Sequence, residues 1–388
     1  MKKIGKIVEA VVLVLVLIPA VLLIRARVKQ PEPGDYAAGE GGGVIIAAAD
    51  EPEESPEALV EPGTFVISAI GDCTLASAEN FVGSVYGYAA KMDGDYAYPF
   101  SNTVEYFKND DYTIANLECV LSDSKLTADI YASQFHFQSP SEWANILIEG
   151  GVDFVTTANN HLLKDYGSKG AEDTYATLEE YGIPYGKESQ RQIVTTDSGL
   201  ILGIYCDYNG LEPDKAQAVA AVNGLKAEGA EYIICMFHWG EELHYSLDDR
   251  DVELARACVD AGANLIYGSH SHCLQPIEEY NGGVILYSMG NWSFGGSTMP
   301  TDPDTAIVQI TVSRAADGSV SNDDITIIPC GVSSQKYVKN THYNDYRPTP
   351  YEEGTEEYER VLNKLDGNFK PASEGADYSN WWAQQLQN

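Results

Sequence analysis

Basic side chains are scarce in this chain: 24 Lys and Arg stand against 58 Asp and Glu, for a formal net charge of −34 over 388 residues. Phosphate backbones and anionic lipid surfaces are held by clustered Lys and Arg, so this composition speaks against a nucleic-acid or anionic-surface partner. The same acidity makes a metal cation a fitting guest, because a bound cation offsets clustered carboxylates. Cysteine is also uninformative as a framework: there are seven, an odd number, with no C-x-x-C pair. Neither a disulfide scaffold nor a zinc knuckle follows from that pattern. Cys206, Cys235 and Cys258 sit inside apolar runs, and Cys73, Cys119 and Cys273 sit beside polar motifs; all read as packing residues. Histidine too is rare, at seven, so the position of each carries weight. What the chain has in quantity is core material, 44% hydrophobic and 10% aromatic, enough for one large domain or two ordinary ones.

The N-terminal 29 residues read as a membrane segment. Lys2, Lys3 and Lys6 precede an apolar run over 10–24, and Arg25, Arg27 and Lys29 follow it. Counted from Ile4, the run approaches the roughly 20 residues that span a bilayer, and no small-x-small cleavage site follows promptly. The expectation is an uncleaved transmembrane anchor, with secretion after signal cleavage as the alternative. Basic residues flank the run about equally, so charge leaves the orientation open. Residues 30–62 are acidic and rich in Pro and Gly, the composition of a flexible linker.

From residue 63 the pattern alternates. Apolar runs over 65–70, 112–115, 152–157, 200–206, 232–237 and 263–267 read as strands. Helices are expected over 101–108, from Ser139 or Ser141 to 148, and over 171–181, 214–228 and 249–261. Strands alternating with helices imply an α/β fold. The last third turns sheet-rich, with strands over 284–288, 306–312 and 325–330, and residues 336–388 read as a C-terminal extension with a peripheral helix.

Polar motifs follow the strands directly. Asp72 follows the first, Glu118 the second, Asn160 and His161 the third; His238 ends one of the most apolar runs, and His270 and His272 close the next. Ligands in α/β folds gather at the carboxyl ends of strands, so these residues point to one site. Each has a plainer reading alone: Gly-Asp is a common loop pair, Asn160 and His161 suit a helix cap, and His238 suits a satisfied core position. His136, His244 and His342 lack such context and read as surface or packing residues. Taken jointly, a mixed carboxylate, amide and imidazole set suits Mn²⁺, Zn²⁺ or Fe, and a carboxylate flanked by histidines is what a two-metal hydrolytic site requires.

Six motifs occur in a fixed order: Gly71-Asp72; Asn116-Leu117-Glu118; Ala158-Asn159-Asn160-His161 with Asp165-Tyr166-Gly167; His238-Trp239-Gly240-x-Glu242; Gly268-x-His270-x-His272; and Tyr287-Ser288-Met289-Gly290-Asn291. In this order they resemble the CapA/PgsA family of poly-γ-glutamate capsule biosynthesis proteins, related to the calcineurin-like metallophosphoesterases. The resemblance implies a metallophosphatase-like α-β-β-α sandwich over 63–335, held outside the cytoplasm by the N-terminal anchor. It implies one or two divalent metal ions, other capsule-synthesis membrane proteins as partners, and poly-γ-glutamate or a phosphoester as substrate. Carried over by position, Asp72, Glu118 and His272 hold one metal, while Glu118, Asn160, His238 and His270 hold the other. His161 takes the place of the residue that protonates a leaving group, and Trp239, Glu242 and Asn291 become candidate substrate-binding residues. One departure stands out: the metallophosphoesterases open with Asp-x-His, whereas this chain has Asp72-Cys73-Thr74; the capsule family itself also shows Gly-Asp without that histidine. The first metal position therefore lacks that histidine.

Overall fold

The computed structural model describes residues 61–129, 135–210 and 214–371. The expected anchor, and the expected linker up to residue 60, lie outside them. Among the described residues no helix is long and apolar enough to cross a membrane.

In chain order the body starts with strand β1 (Gly63–Cys73) and the short helices α1 (Tyr88–Met92) and α2 (Val104–Phe107). Strands β2 (Tyr112–Leu117), β3 (Val120–Leu121) and β4 (Gln138–Ser139) follow, then helix α3 (Asn145–Gly150), strand β5 (Phe154–Thr156) and helices α4 (Asn160–Lys164) and α5 (Gly167–Glu180). Next come β6 (Tyr185–Gly186), β7 (Gln190–Thr195), β8 (Ile201–Gly210), helix α6 (Lys215–Ala227), β9 (Tyr232–Trp239) and helix α7 (Asp249–Ala261). The remainder is β10 (Leu265–Ser269), β11 (Ile277–Tyr280), β12 (Gly283–Leu286), β13 (Asp304–Arg314), β14 (Val320–Gly331), β15 (Thr349–Pro350) and helix α8 (Glu356–Leu365).

Two sheets carry the fold, ordered β15-β14-β13-β1-β2-β5-β6 and β11-β12-β10-β9-β8-β7. Strands β1, β2, β5 and β6 run parallel, as do β8, β9, β10 and β12. The period-2 alternation of side chains assigns each strand's two faces. Ile67, Ile114, Ile204, Ile234, Met236, Leu265 and Tyr267 pack between the sheets. Ile70, Ala115 and Leu117 turn outward toward α1–α3 and α5, while Ile233, Cys235, Phe237 and Ile266 turn toward α6 and α7. Helices therefore cover both outer faces of a sheet pair. The expected α/β class is what is seen, in four layers.

Local chemistry explains the element ends. Asp214 caps α6 by accepting from the Gln217 amide, and Asp248 caps α7 through Arg250, with Gly262 in the left-handed conformation (φ 116°) after it. The helix expected over 101–108 shortens to one turn, because the Ser101 hydroxyl bonds the Tyr98 carbonyl instead of capping. The helix expected from Ser139 or Ser141 starts as a 3-10 turn, with no side-chain cap. Strands β7 and β11 were not expected; β7 is an edge strand with largely exposed side chains, so it lacks the apolar run that marks a buried one.

The boundary expected at residue 335 does not coincide with an edge of the body. Strand β15 pairs with β14, and Val361 and Leu365 of α8 join the inter-sheet core. All seven cysteines are free and buried, as packing residues would be.

Candidate metal centre

Asp72 ends β1, Glu118 follows β2, Asn160 opens α4 after β5, His238 lies near the end of β9, and His270 and His272 follow β10. The parallel strands deliver all of them to one end of the sheet pair. His238 shares the parity of Ile234 and Met236, so its ring enters between the sheets, and the side chain is fully buried.

A connecting segment stitches the two sheets together here. The Asp72 amide donates to the Gly290 carbonyl at 2.8 Å, and the Met289 amide donates to the Gly268 carbonyl at 3.1 Å. Gly71 and Gly268 are required by this close approach: a Cβ at Gly71 would overlap the Gly290 carbonyl oxygen, and one at Gly268 the Tyr287 carbonyl oxygen. The loop after β10 is tightly turned rather than extended. His270 (φ 96°) and His272 (φ 54°) both occupy the left-handed region, a strain of about 1–3 kcal/mol each that aims both rings into the site.

Two overlapping sets of side chains result. Glu118, His238 and His270 form one, and Asp72, Glu118 and His272 the other, each with donor atoms within 4.8 Å of one another. Glu118 belongs to both. Its carboxylate is fully buried, and neither oxygen has a hydrogen-bond partner; the buried Nδ1 of His270 has none either. His238 uses Nδ1 on the Ser269 hydroxyl at 2.9 Å, which directs Nε2 at the Asn160 amide oxygen (2.8 Å) and Glu118 Oε1 (3.3 Å). A buried carboxylate without partners costs several kcal/mol, and donor atoms converging on a shared carboxylate are what a divalent cation would satisfy. The residues fit one.

Electrostatics of the cluster agree. Burial, reinforced by Asp72, pushes the Glu118 carboxyl up to about 8. Burial pushes His238 down to about 3 and His270 well below its ordinary value, so both rings are neutral and able to ligate near pH 7. His272 behaves oppositely: burial opposes its charge, but Glu118 and Asp72 outweigh it and raise the ring to about 10. Asp72 lies low, because the His272 contact at 3.4 Å overcomes its desolvation.

The supporting residues are as telling. Asn116 donates to Asp72 Oδ1 at 2.9 Å, and Asn159 donates to the Asn116 amide oxygen at 3.0 Å. Asn159, rather than Asn160 or His161, caps α4, accepting from the His161 and Leu162 amides; Asn160 is thereby left to face His238. His161 directs Nδ1 at the Asp165 carboxylate (2.9 Å) and Nε2 toward Glu118 (3.7 Å). Burial disfavours its charge, yet the Asp165 bond wins and raises its pKa. Asp165 is itself fixed by the Phe137 amide at 2.9 Å.

Of the candidate substrate-binding residues, Glu242 is partly buried and acts electrostatically on Glu118, His270 and His272. Asn291 is buried and bonds His272 Nδ1 at 3.0 Å, which makes it an orienter of that ring. Trp239 is elsewhere: alternation along β9 turns it away from His238, toward α6 and α7, where it is buried and its indole N–H donates to the Tyr287 carbonyl at 2.8 Å. It has no surface to offer a substrate. Thr74, at the missing-histidine position, is committed to structure, donating to the Ala76 carbonyl and accepting from the Gly295 amide.

With this geometry in view, comparison with known proteins is informative. A family model described as "Bacterial capsule synthesis protein PGA_cap" matches residues 66–295. The chain belongs to that family. Among curated relatives it is 29% identical to the capsule biosynthesis protein CapA of Bacillus anthracis, over 55% of this chain and 57% of that one. It is 30% identical to the PGA biosynthesis protein CapA of Bacillus subtilis, over 55% of this chain and 60% of the other. A probable polyglutamine synthesis accessory protein of Mycobacterium tuberculosis is 25% identical, over 46% and 55%. The chain thus spans somewhat more than half the length of these relatives. The PGA_cap match ends at residue 295, short of α8, and it includes every candidate ligand.

Proposed function

We propose that this PGA_cap protein is a membrane-anchored, extracytoplasmic component of poly-γ-glutamate capsule synthesis with a metal-dependent hydrolase or transferase site of metallophosphatase type. The observation that carries the metal reading is the doubly shared, unpartnered Glu118 carboxylate between two histidine-bearing sets. The names of the Bacillus relatives supply the polymer. A bound divalent ion would polarise a phosphoryl or γ-glutamyl oxygen and activate water there. Asp72, Glu118, His238, His270 and His272 would hold it, with Asn160 beside His238.

The chain's own residues then divide the remaining work. Asp165 favours the charged form of His161 and engages Nδ1, which turns Nε2 toward the site, where a proton on it can pass to a departing oxygen or nitrogen. Asn291 keeps the His272 ring in register, and Asn116 and Asn159 fix Asp72 and α4. The body around Trp239 and Ile266 is buried and packed, which keeps the donor atoms aligned.

Metal analysis of the purified protein tests the reading. The expected result is one or two Mn, Zn or Fe ions per chain, lost in Glu118→Gln. Wild-type protein empty of metal after growth with all three would sink the enzymatic reading and leave a scaffold role. A phosphoesterase unrelated to capsule is the second reading, favoured by the His161–Asp165 pair; Mn²⁺-dependent phosphodiester cleavage with no effect on capsule polymer would select it.

A further inference from the structure

In a chain this acidic, an exposed lysine beside the metal-type cluster is conspicuous. Lys164 is the last residue of α4, four positions after Asn160, so both lie on one helix face. Asn160 reaches His238 Nε2 at 2.8 Å, and Lys164 reaches the Tyr208 hydroxyl at 2.9 Å. Tyr208 pairs with His238 across β8 and β9, and their ring centroids are 5.8 Å apart. The ammonium therefore stands one strand over from a candidate ligand, close enough for its charge to act on His238.

Lys108 pairs with Glu105, Lys169 with Asp173 and Lys215 with Glu253, whereas Lys187 rests on the Tyr175 ring, and Lys164, whose charge also acts on Glu188, rests on Tyr208 beside the cluster. Among the described residues no carboxylate comes within 4 Å of Lys164. The Tyr208 hydroxyl takes one of its three donors, and the ring lies 4.8 Å from the nitrogen. An ammonium so placed is held in position with donors to spare. It is a point charge suited to an oxyanion.

We propose that Lys164, steadied by Tyr208, is an anion-binding subsite at the rim of the metal centre, taking the carboxylate or phosphoryl oxygens of the substrate unit next to the one being processed. This rests on the metal-site reading above and names what it binds. It also bears on how a protein of net charge −34 would tolerate a polyanion: a bound ion and Lys164 together would offset the acidic body at this one place.

The test is calorimetric titration of the full chain, loaded with Mn²⁺, with a γ-glutamyl oligomer and separately with inorganic phosphate. Lys164→Met should weaken whichever probe binds by about tenfold or more, the loss of one charge-assisted hydrogen bond. Lys164→Arg should restore most of that affinity, and Mn²⁺ content should be unchanged in both variants. Weakening confined to the oligomer assigns the subsite to carboxylates, and weakening confined to phosphate assigns it to phosphoryl groups. Binding unchanged in Lys164→Met, or no binding of either probe to Mn²⁺-loaded wild type, overturns the proposal. Wild type that takes up no Mn²⁺ overturns the metal reading instead, and metal content tells the two failures apart.

Discussion

Two buried clusters of charge lie in this body, and they are resolved in opposite ways. In the first, Asp302 and Asp304 are buried against α8, where Lys364 reaches them at 2.6 and 2.8 Å and Arg360 grips Asp304 with two hydrogen bonds. Tyr245 and Tyr351 donate to the same carboxylates. Every acid has a cation from the chain itself. In the second, Asp72 and Glu118 are equally buried, yet the cations in reach are histidines, and Glu118 has no hydrogen-bond partner. A protein able to satisfy buried carboxylates with Lys and Arg in one place has not done so in the other. The first cluster is a structural clamp. The second has a donor set that a cation from outside would satisfy.

That contrast can be broken experimentally, and the largest effect belongs to the clamp. Lys364→Met leaves Asp302, among the described residues, with the Tyr245 hydroxyl and the Asp304 amide, and should lower unfolding free energy by about 3–5 kcal/mol in denaturant titrations, whether or not metal is added. A loss below about 1 kcal/mol would dissolve the distinction between the clusters. The metal centre should respond to the ion instead. Saturating Mn²⁺ or Zn²⁺ at about a thousand times its dissociation constant should add about 4 kcal/mol, read as a rise in melting temperature. Glu118→Gln should abolish that rise while leaving the ion-free protein close to wild type, since the neutral amide replaces an acid that burial already keeps protonated.

Acidity separates the clusters next. Glu118, raised from 4.5 to about 8, and His272, raised from 6.5 to about 10, hold protons in the folded, ion-free state that the unfolded chain releases. Their stabilising contribution is complete below 4.5 and 6.5 respectively, and it is lost as pH climbs toward 8 and 10. A metal competes for the same positions, so its affinity should tighten between pH 6 and 8, by about tenfold per unit for each proton displaced. Titrations at both pH values check this; a flat profile would contradict it. Within the clamp, Asp304 is lowered from 3.8, so its contribution fades only in acid, and Lys364 is raised from 10.5, so its contribution fades only in strong base, whereas burial raises Asp302 from 3.8, so its contribution is lost as pH climbs through its folded value. A smaller effect is expected for Asn291→Ala, which frees the His272 ring and should weaken metal binding about 10–100-fold without altering the fold. Thr74→Val should do least, leaving metal content at wild-type level, because that hydroxyl is engaged with Ala76 and Gly295 and faces no ion.

Much of the centre was legible in the sequence because the relevant strands are apolar along their whole length, and a polar residue at the end of such a run stands out. Asp72, Glu118, His238 and His270 were visible for that reason. Trp239 was misread because a motif is written as a line, whereas a strand has two faces. Asn159 and Asp165 carried no stated role, since a cap and a hydrogen-bond partner four residues on are ordinary surface chemistry until a buried histidine is seen between them. The left-handed backbone at His270 and His272 had no signal, because glycine usually marks such positions and neither is glycine. Strand β15 and helix α8 were set apart as an extension because one turn-length strand and a helix dense in charge look peripheral; Lys364 is buried only because Asp302 and Asp304 meet it there.

The stitching of the two sheets by the segment around Gly290 has a consequence for how the protein matures. Asp72 and His270 are 198 positions apart in sequence, and the Tyr267 hydroxyl reaches the Ile70 carbonyl over a span of 197. Contacts of such range require a long loop to close, an entropic cost that precedes any gain from the contact. No fragment made of one sheet alone holds both halves of the donor set. Uptake of an ion at this centre would therefore require both sheets to be in place.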